Sequence, residues 1–169
     1  MKRKHIRAVA LPGDIAGQLW LSAMPGRDAP LDAVFSAMIA AKVARIVCLC
    51  TADELATKSP GYARTLAQSA APAPVSTLPV PDYSVPPDGP AFVRLAHELA
   101  TDLARGKAVL IHCAAGIGRT GTMAICVLVA SGLPLKTAQG IVATAGSGPE
   151  TAAQQAFVEV SARQLQASA

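Results

Sequence analysis

The sequence predicts an α/β fold: a central, mostly parallel sheet of four to five strands, flanked by helices on both faces. Three observations lead there. Two near-continuous apolar runs, RIVCLC at Arg45–Cys50 and AVLIH at Ala108–His112, read as strands covered on both sides. Stretches with helix-type ends alternate with the strand-like runs, as in parallel sheets. The chain of 169 residues, 51% hydrophobic and 15% charged, can bury a sizeable core. Aromatics are only 4%, and alanine supplies much of the apolar content, which suits close packing of small side chains.

Residues 1–15 read as a loosely ordered basic arm, ahead of a first strand, QLWLSA, at Gln18–Ala23. Leu31–Lys42 is helix-like and leads into the Arg45–Cys50 strand. A third strand falls at Val75–Leu78, inside the Pro- and Ala-rich segment Ala70–Pro90, where an ordered loop follows it. Pro90 marks a helix start, and Phe92, Leu95, Leu99 and Leu103 then share one face up to Gly106. After the Ala108–His112 strand, Thr120–Ser131 is apolar all round, like a central buried helix, and Gly132 with Pro134 stops it. Pro134–Ala145 and Pro149–Gln166 are two further helices, each with proline in its first turn. No repeat or low-complexity linker divides the chain, so one domain over residues 1–169 is expected.

Net charge is +4 and the pI near 9.1, a mild bias toward anionic substrates that is too small to argue for nucleic acid. The apolar stretch near the start is too short for a signal peptide, and none reaches the ~18 residues of a membrane span. The expectation is a cytoplasmic protein without membrane or nucleic-acid partner, and a monomer. Cys48, Cys50, Cys113 and Cys126 lie in apolar strand- or helix-like segments, unlike a disulfide framework, and no spacing suggests zinc. No metal and no cofactor are expected.

The segment VLIHCAAGIGRTGT, Val109–Thr122, carries the chemistry. A buried strand ends at His112, a glycine-bearing loop follows, and a helix starts near Gly118. Loop amides with no intrahelical partner form an anion-binding nest there. Gly116, Gly118 and Gly121 ease the tight curve. The C-x5-R spacing brings Cys113 and Arg119 around one small anion, and arginine offers two phosphate oxygens a planar clamp. The amides, the helix dipole and Arg119 all favour a nucleophilic thiolate. Ala114, Ala115, Gly116, Ile117, Gly118 and Arg119 would line the bound phosphate. Thr120 is placed to donate its hydroxyl proton to the departing sulfur.

Other readings fare worse. GIGRTG also fits the dinucleotide fingerprint, but no acidic residue stands about 20 positions on. A nucleoside-triphosphate loop needs a lysine that is absent here. A merely buried strand-end thiol leaves Arg119 and three glycines unexplained.

HCAAGIGRTG resembles the H-C-x5-R-[ST]-G loop of the protein tyrosine phosphatase superfamily, and the layout from about Gln18 to Phe157 is closest to small atypical dual-specificity phosphatases. The resemblance implies hydrolysis of phosphate monoesters through a phosphocysteine, most simply phosphotyrosine on proteins or peptides, with phosphoserine and phosphothreonine also open. It implies an aspartate acid upstream of the cysteine. LPVPDYSVPP offers Asp82, with Asp88 and then Asp53 as fallbacks, whereas Asp82 on residue physics alone is equally a turn former. Related enzymes position the attacking water with a glutamine-bearing segment. GPETAAQQAFV resembles it, with Glu150 at the first glutamine position and Gln154 at the second. His112 is implied as a support for the loop. Cys50 matches the partner cysteine of phosphoinositide phosphatases, which forms a reversible disulfide with the nucleophile; two small core residues are the plainer reading of Cys48 and Cys50. Lysines inside the loop, typical of enzymes acting on inositol lipids, are missing. Tyr83 is placed to pack against an aromatic substrate ring. The competing functions are a non-catalytic phosphoresidue-binding module and a phosphatase for a non-protein ester.

Overall fold

The computed structural model describes residues 5–168. Five strands form one sheet: β1 (Arg7–Ala8), β2 (Gln18–Ser22), β3 (Val43–Cys48), β4 (Val75–Thr77) and β5 (Ala108–His112), in the order β1-β2-β5-β3-β4. β1 pairs antiparallel with β2; the other three pairings are parallel. Helices α1 (Leu31–Ala40), α2 (Ala52–Lys58), α3 (Pro60–Ala67), α4 (Gly89–Ala104), α5 (Gly118–Ala130), α6 (Leu135–Thr144) and α7 (Ala152–Ala167) flank it. The α/β class with a mostly parallel sheet is as the sequence predicts.

The alternation of side chains along the central strands divides the core. Val109 and Ile111 of β5 join Val47, Leu19 and Leu21 in a large cluster with α4, α5, α6 and α7. Leu110, between them, faces the other way and packs with Ile46 and with Val34 and Met38 of α1. Thus β5 is buried along its whole length, which is why its sequence shows no polar alternation. From Gly118 to Val129, α5 is buried on all sides, so its N-terminal end is fixed from every direction. On the sheet's flank, Arg45 of β3 binds Glu98 and Asp102 of α4 at 2.8 and 3.0 Å, and Lys107 closes the group on Asp102 at 2.8 Å.

Three elements went unrecognised in the sequence. α2 and α3 are short and lack a wide apolar stripe; α2 is nucleated instead by a capping box between Thr51 and Glu54. β1 is the third, and it corrects the expected loose arm over residues 1–15. Ile6 and Val9 are buried, Arg7 and Ala8 pair with Leu21 and Trp20, and the Val9 amide donates to the Leu19 carbonyl at 2.9 Å. The run of positive charge masked this short apolar pattern. The part of the expectation that falls on residues 1–4 lies outside the described residues.

Candidate active site

β5 delivers the chain to Cys113 at the C-terminal end of the parallel strands, where the loop to α5 begins. The path of this loop follows from where its carbonyls go. Ala114 O accepts from the Met24 amide at 3.0 Å, and Gly116 O from Ser147 Oγ at 2.7 Å and from Arg7 Nη2. Ile117 O accepts from the amides of Gly121 at 2.8 Å and Gly148 at 3.1 Å. A trans peptide sets C=O and the next N–H antiparallel. Three carbonyls tied outward therefore turn the N–H groups of Ala115, Ile117 and Gly118 toward the inside of the curve. Gly116 sits there with φ of +73°, and a Cβ on it would lie 2.3 Å from the Ser22 carbonyl oxygen, so no other residue fits. Gly118 needs its bare backbone for approach rather than for curvature: a Cβ there would lie 2.4 Å from Glu150 Oε2 and 3.0 Å from Gln154 Oε1.

Cys113 is 2% exposed, and its sulfur accepts the Gly116 N–H at 3.3 Å. Thr120 makes no bond to it: its hydroxyl is buried without a hydrogen-bond partner among the described residues. His112 donates or accepts at both ring nitrogens, with Cys113 O 3.3 Å from Nδ1 and the Tyr62 hydroxyl 2.9 Å from Nε2. Tyr62 also meets the imidazole edge-on, the rings 5.3 Å apart. The loop is thus braced from the strand side by one buried histidine.

Arg119 is likewise 2% exposed, and its guanidinium is held by four hydrogen bonds. Nη1 donates to Glu54 Oε2 and Val80 O, and Nη2 to Glu54 Oε1, each at 2.8 Å; Nη2 also reaches Asp82 Oδ1 at 2.9 Å. Burial opposes the Arg119 cation, but Glu54, with the fields of Cys113 and Asp82, outweighs it and raises its pKa. Burial likewise works to raise the Glu54 carboxyl, yet the bonds from Arg119 and Thr51 hold it down at about 2. Glu54 is the site residue that sequence reasoning missed. The signal was the capping box T-x-x-E in TADEL, which fixes α2 at the end of β3 and aims its third residue at Arg119.

Asp82 Oδ1 also accepts from the Tyr83 amide at 3.0 Å, and Lys58 Nζ lies 3.9 Å from Oδ2. Of the fallback acids, Asp88 is spent as the N-cap of α4, accepting from Ala91 N at 2.9 Å, and Asp53 lies exposed in the first turn of α2. Gln154 is buried: its Nε2 donates to Ser84 O at 3.1 Å and its Oε1 accepts from Glu150 N at 2.8 Å. It joins the Asp82 loop to the start of α7, while Glu150 stays exposed at the rim over Gly118.

Cys50 lies with Cys48 and His112, one donor atom of each within 4.8 Å of the others, all three buried. Spacing hid this grouping, because 62 residues separate Cys50 from His112. Both ring nitrogens of His112 are already engaged, by Tyr62 and by Cys113 O. Contact with Cys48 and burial hold the Cys50 thiol well above its ordinary range. Burial pushes the Cys126 thiol up to about 12, far from any reactive role.

A thiol, a guanidinium and inward amides at one helix N-terminus define a site for a small oxyanion in a cysteine-based phosphatase fold. The chain belongs to the DSP-PTPase phosphatase family: the model described as "PTP-SAK: Swiss Army Knife protein, DSP-PTPase phosphatase domain" matches residues 22–168. Solved structures agree on the fold. Kinase associated phosphatase, with serine in place of its catalytic site cysteine, superposes with a TM-score of 0.79 at 21% identity, over 96% of both chains. A glycine-to-alanine mutant form of Tk-PTP gives 0.72 at 26% identity, over 95% of this chain and 97% of that one. PTPMT1 in complex with PI(5)P gives 0.69 at 17% identity, over 89% and 93%. No helix among the described residues is long and apolar enough to cross a membrane.

Proposed function

We propose that this phosphatase hydrolyses phosphotyrosine on proteins or peptides, through a phosphocysteine formed on Cys113. The single observation that carries this reading is the loop itself: three carbonyls tied outward, amides turned inward around the Cys113 sulfur, and the buried Arg119 beside them. Phosphate takes the inward amides of Ala115, Ile117 and Gly118, together with Nε of Arg119 and the Nη2 proton that Asp82 holds. Asp82 is the general acid of this reading and enters the step in its acid form. The Cys113 sulfur attacks phosphorus, the P–O bond to the leaving group breaks, and Asp82 delivers its proton to that oxygen. Water then attacks phosphorus, with Asp82 taking its proton, Glu150 at the rim of its approach and Gln154 steadying the Asp82 loop. The S–P bond breaks, and the buried Thr120 hydroxyl, without a partner among the described residues, turns to stabilise the departing sulfur.

The loop's neutrality supports this substrate class. Ala114, Ala115, Ile117 and Gly118 bring no cation for a second or third phosphate. Ile117 is 39% exposed and Tyr83 62%, on the loops that carry Cys113 and Asp82, which suits an aromatic ring. The enzyme works as a single cysteine-based phosphatase domain without metal or cofactor, as a monomer in the cytoplasm. Purified protein assayed on a phosphotyrosine, phosphoserine and phosphothreonine peptide panel beside an inositol phosphate panel tests the substrate. Preference for inositol phosphates refutes the protein assignment. Turnover of p-nitrophenyl phosphate surviving in Cys113→Ser or Arg119→Ala refutes the chemistry; no turnover by the wild type favours a binding module.

A further inference from the structure

We propose that Arg7 is a positioning residue for the phosphate loop, holding the Gly116–Ile117 peptide so that its N–H faces the bound oxyanion. This rests on the phosphate-binding reading of the site. Arg7 precedes the residues matched by the family model, on the two-residue strand β1 at the sheet edge. Its guanidinium is a fork with two tasks. Nη1 fastens to the turn after α6, donating to Ala145 O at 3.0 Å and Gly146 O at 2.9 Å. Nη2 turns to the loop, donating to Gly116 O and to Ser147 Oγ at 3.1 Å. The buried Ser147 hydroxyl donates to the same Gly116 O at 2.7 Å, so two donors converge on one carbonyl.

The need for them lies in the residue they hold. Gly116 adopts φ of +73°, and glycine is the residue whose backbone moves most freely between such conformations. Left to itself, the 116–117 peptide can rotate, and a rotated peptide presents an oxygen to the anion instead of an N–H. Pinning the carbonyl outward fixes the opposed N–H inward without any contact between Arg7 and substrate. The charge of Arg7 adds to this: burial lowers its pKa, and attraction to the Cys113 sulfur works against that lowering, so the cation lies within reach of that sulfur's field. Lysine cannot replace it, because an ammonium lacks the planar fork that serves both the turn and the loop.

The test compares inorganic phosphate binding, measured as competitive inhibition of p-nitrophenyl phosphate hydrolysis and directly by calorimetry. Arg7→Ala should bind phosphate at least about tenfold more weakly, and Arg7→Lys should recover only part of the loss. Ser147→Ala, which removes the second donor, should weaken binding by about threefold. Val9→Ala, on the same segment but reaching into the core rather than the loop, should lower Tm while phosphate affinity stays within about twofold of wild type. Arg7→Ala binding phosphate like the wild type, full recovery in Arg7→Lys, or equal weakening in Val9→Ala overturns the assignment. Should Arg7→Ala fail to fold, wild-type affinity in both Arg7→Lys and Ser147→Ala overturns it. A wild-type protein that binds no phosphate is a different result, and sinks the reading of the site itself.

Discussion

Glu54 and Arg119 meet through two parallel hydrogen bonds, Nη1 to Oε2 and Nη2 to Oε1, both 2.8 Å long. This two-pronged pair fixes the plane of the guanidinium before any phosphate arrives, and its side chains are 2% and 12% exposed. Glu54 is itself immobilised, since the Thr51 amide and hydroxyl donate to its Oε2 at 3.0 and 3.2 Å. Removing one partner of a buried pair strands the other. Glu54→Ala should therefore lower kcat/KM for p-nitrophenyl phosphate by about 100-fold and cost roughly 3 kcal/mol of stability in urea titrations. Activity within a few-fold of wild type would show that Arg119 keeps its plane by other means.

The same pair sets an acid limit on the fold. The bonds from Arg119 and Thr51 hold the Glu54 carboxyl at about 2 in the fold, below its ordinary value of 4.5. A depressed folded-state pKa gives stability that is fully present above the unfolded value and is lost as pH falls toward the folded one. That contribution should disappear between about pH 4.5 and 2. Glu54→Gln should flatten the pH dependence of the urea midpoint in that window and leave the slope above pH 6 unchanged. An unaltered acid limb in Glu54→Gln would assign the loss to other carboxylates.

Asp82 occupies the very N–H of Arg119 that phosphate needs, at 2.9 Å. In the proposed mechanism the carboxylate thus competes with substrate in binding and serves it in the chemistry. Asp82→Asn should reduce kcat by at least about 100-fold for an alkyl or phenyl phosphate, and much less for p-nitrophenyl phosphate, whose leaving group needs little protonation. Phosphate should bind Asp82→Ala as tightly as wild type or tighter, as a competing charge is gone. A uniform loss across leaving groups would point to another acid.

Gly116 combines a left-handed φ of +73° with a Cβ position 2.3 Å from the Ser22 carbonyl oxygen. Gly116→Ala must move either the loop or β2's last residue. The expected outcome is a folded protein with kcat/KM down by about 1,000-fold, because the inward amides lose their common focus. Near wild-type turnover would mean that the loop is not the anion site. Gly140, with nothing within 4 Å of its Cβ position, supplies the control: Gly140→Ala should leave activity intact.

How much of this was legible beforehand depends on whether a feature is local. The strand–loop–helix around Cys113 and Arg119 is written in one stretch of fourteen residues, and apolar runs and proline-marked helix starts placed most elements. Residues that act across the fold were not legible. Glu54 stands 65 residues from Arg119, and Arg7 stands 109 from Gly116, so nothing in their own neighbourhoods announces a partner. Gly118 was visible as a loop glycine, but its reason, room for Glu150, belongs to α7's approach and not to the loop's curve.

Gln154 puts that distinction to a kinetic test. The resemblance casts it as a positioner of water for the second half-reaction. In the fold its amide is consumed, donating to Ser84 O at 3.1 Å and accepting from Glu150 N at 2.8 Å, at 1% exposure. A side chain so engaged steadies the Asp82 loop, and its loss should first harm protonation of the leaving group. Gln154→Ala should therefore slow formation of the phosphocysteine by about tenfold without making it accumulate. Rapid-mixing kinetics with p-nitrophenyl phosphate separates the two roles: no burst of nitrophenol accompanies a slowed first step. A burst close to one equivalent per enzyme would instead place Gln154 at the attacking water, and the tie to Ser84 would then have to break once phosphate is on the sulfur.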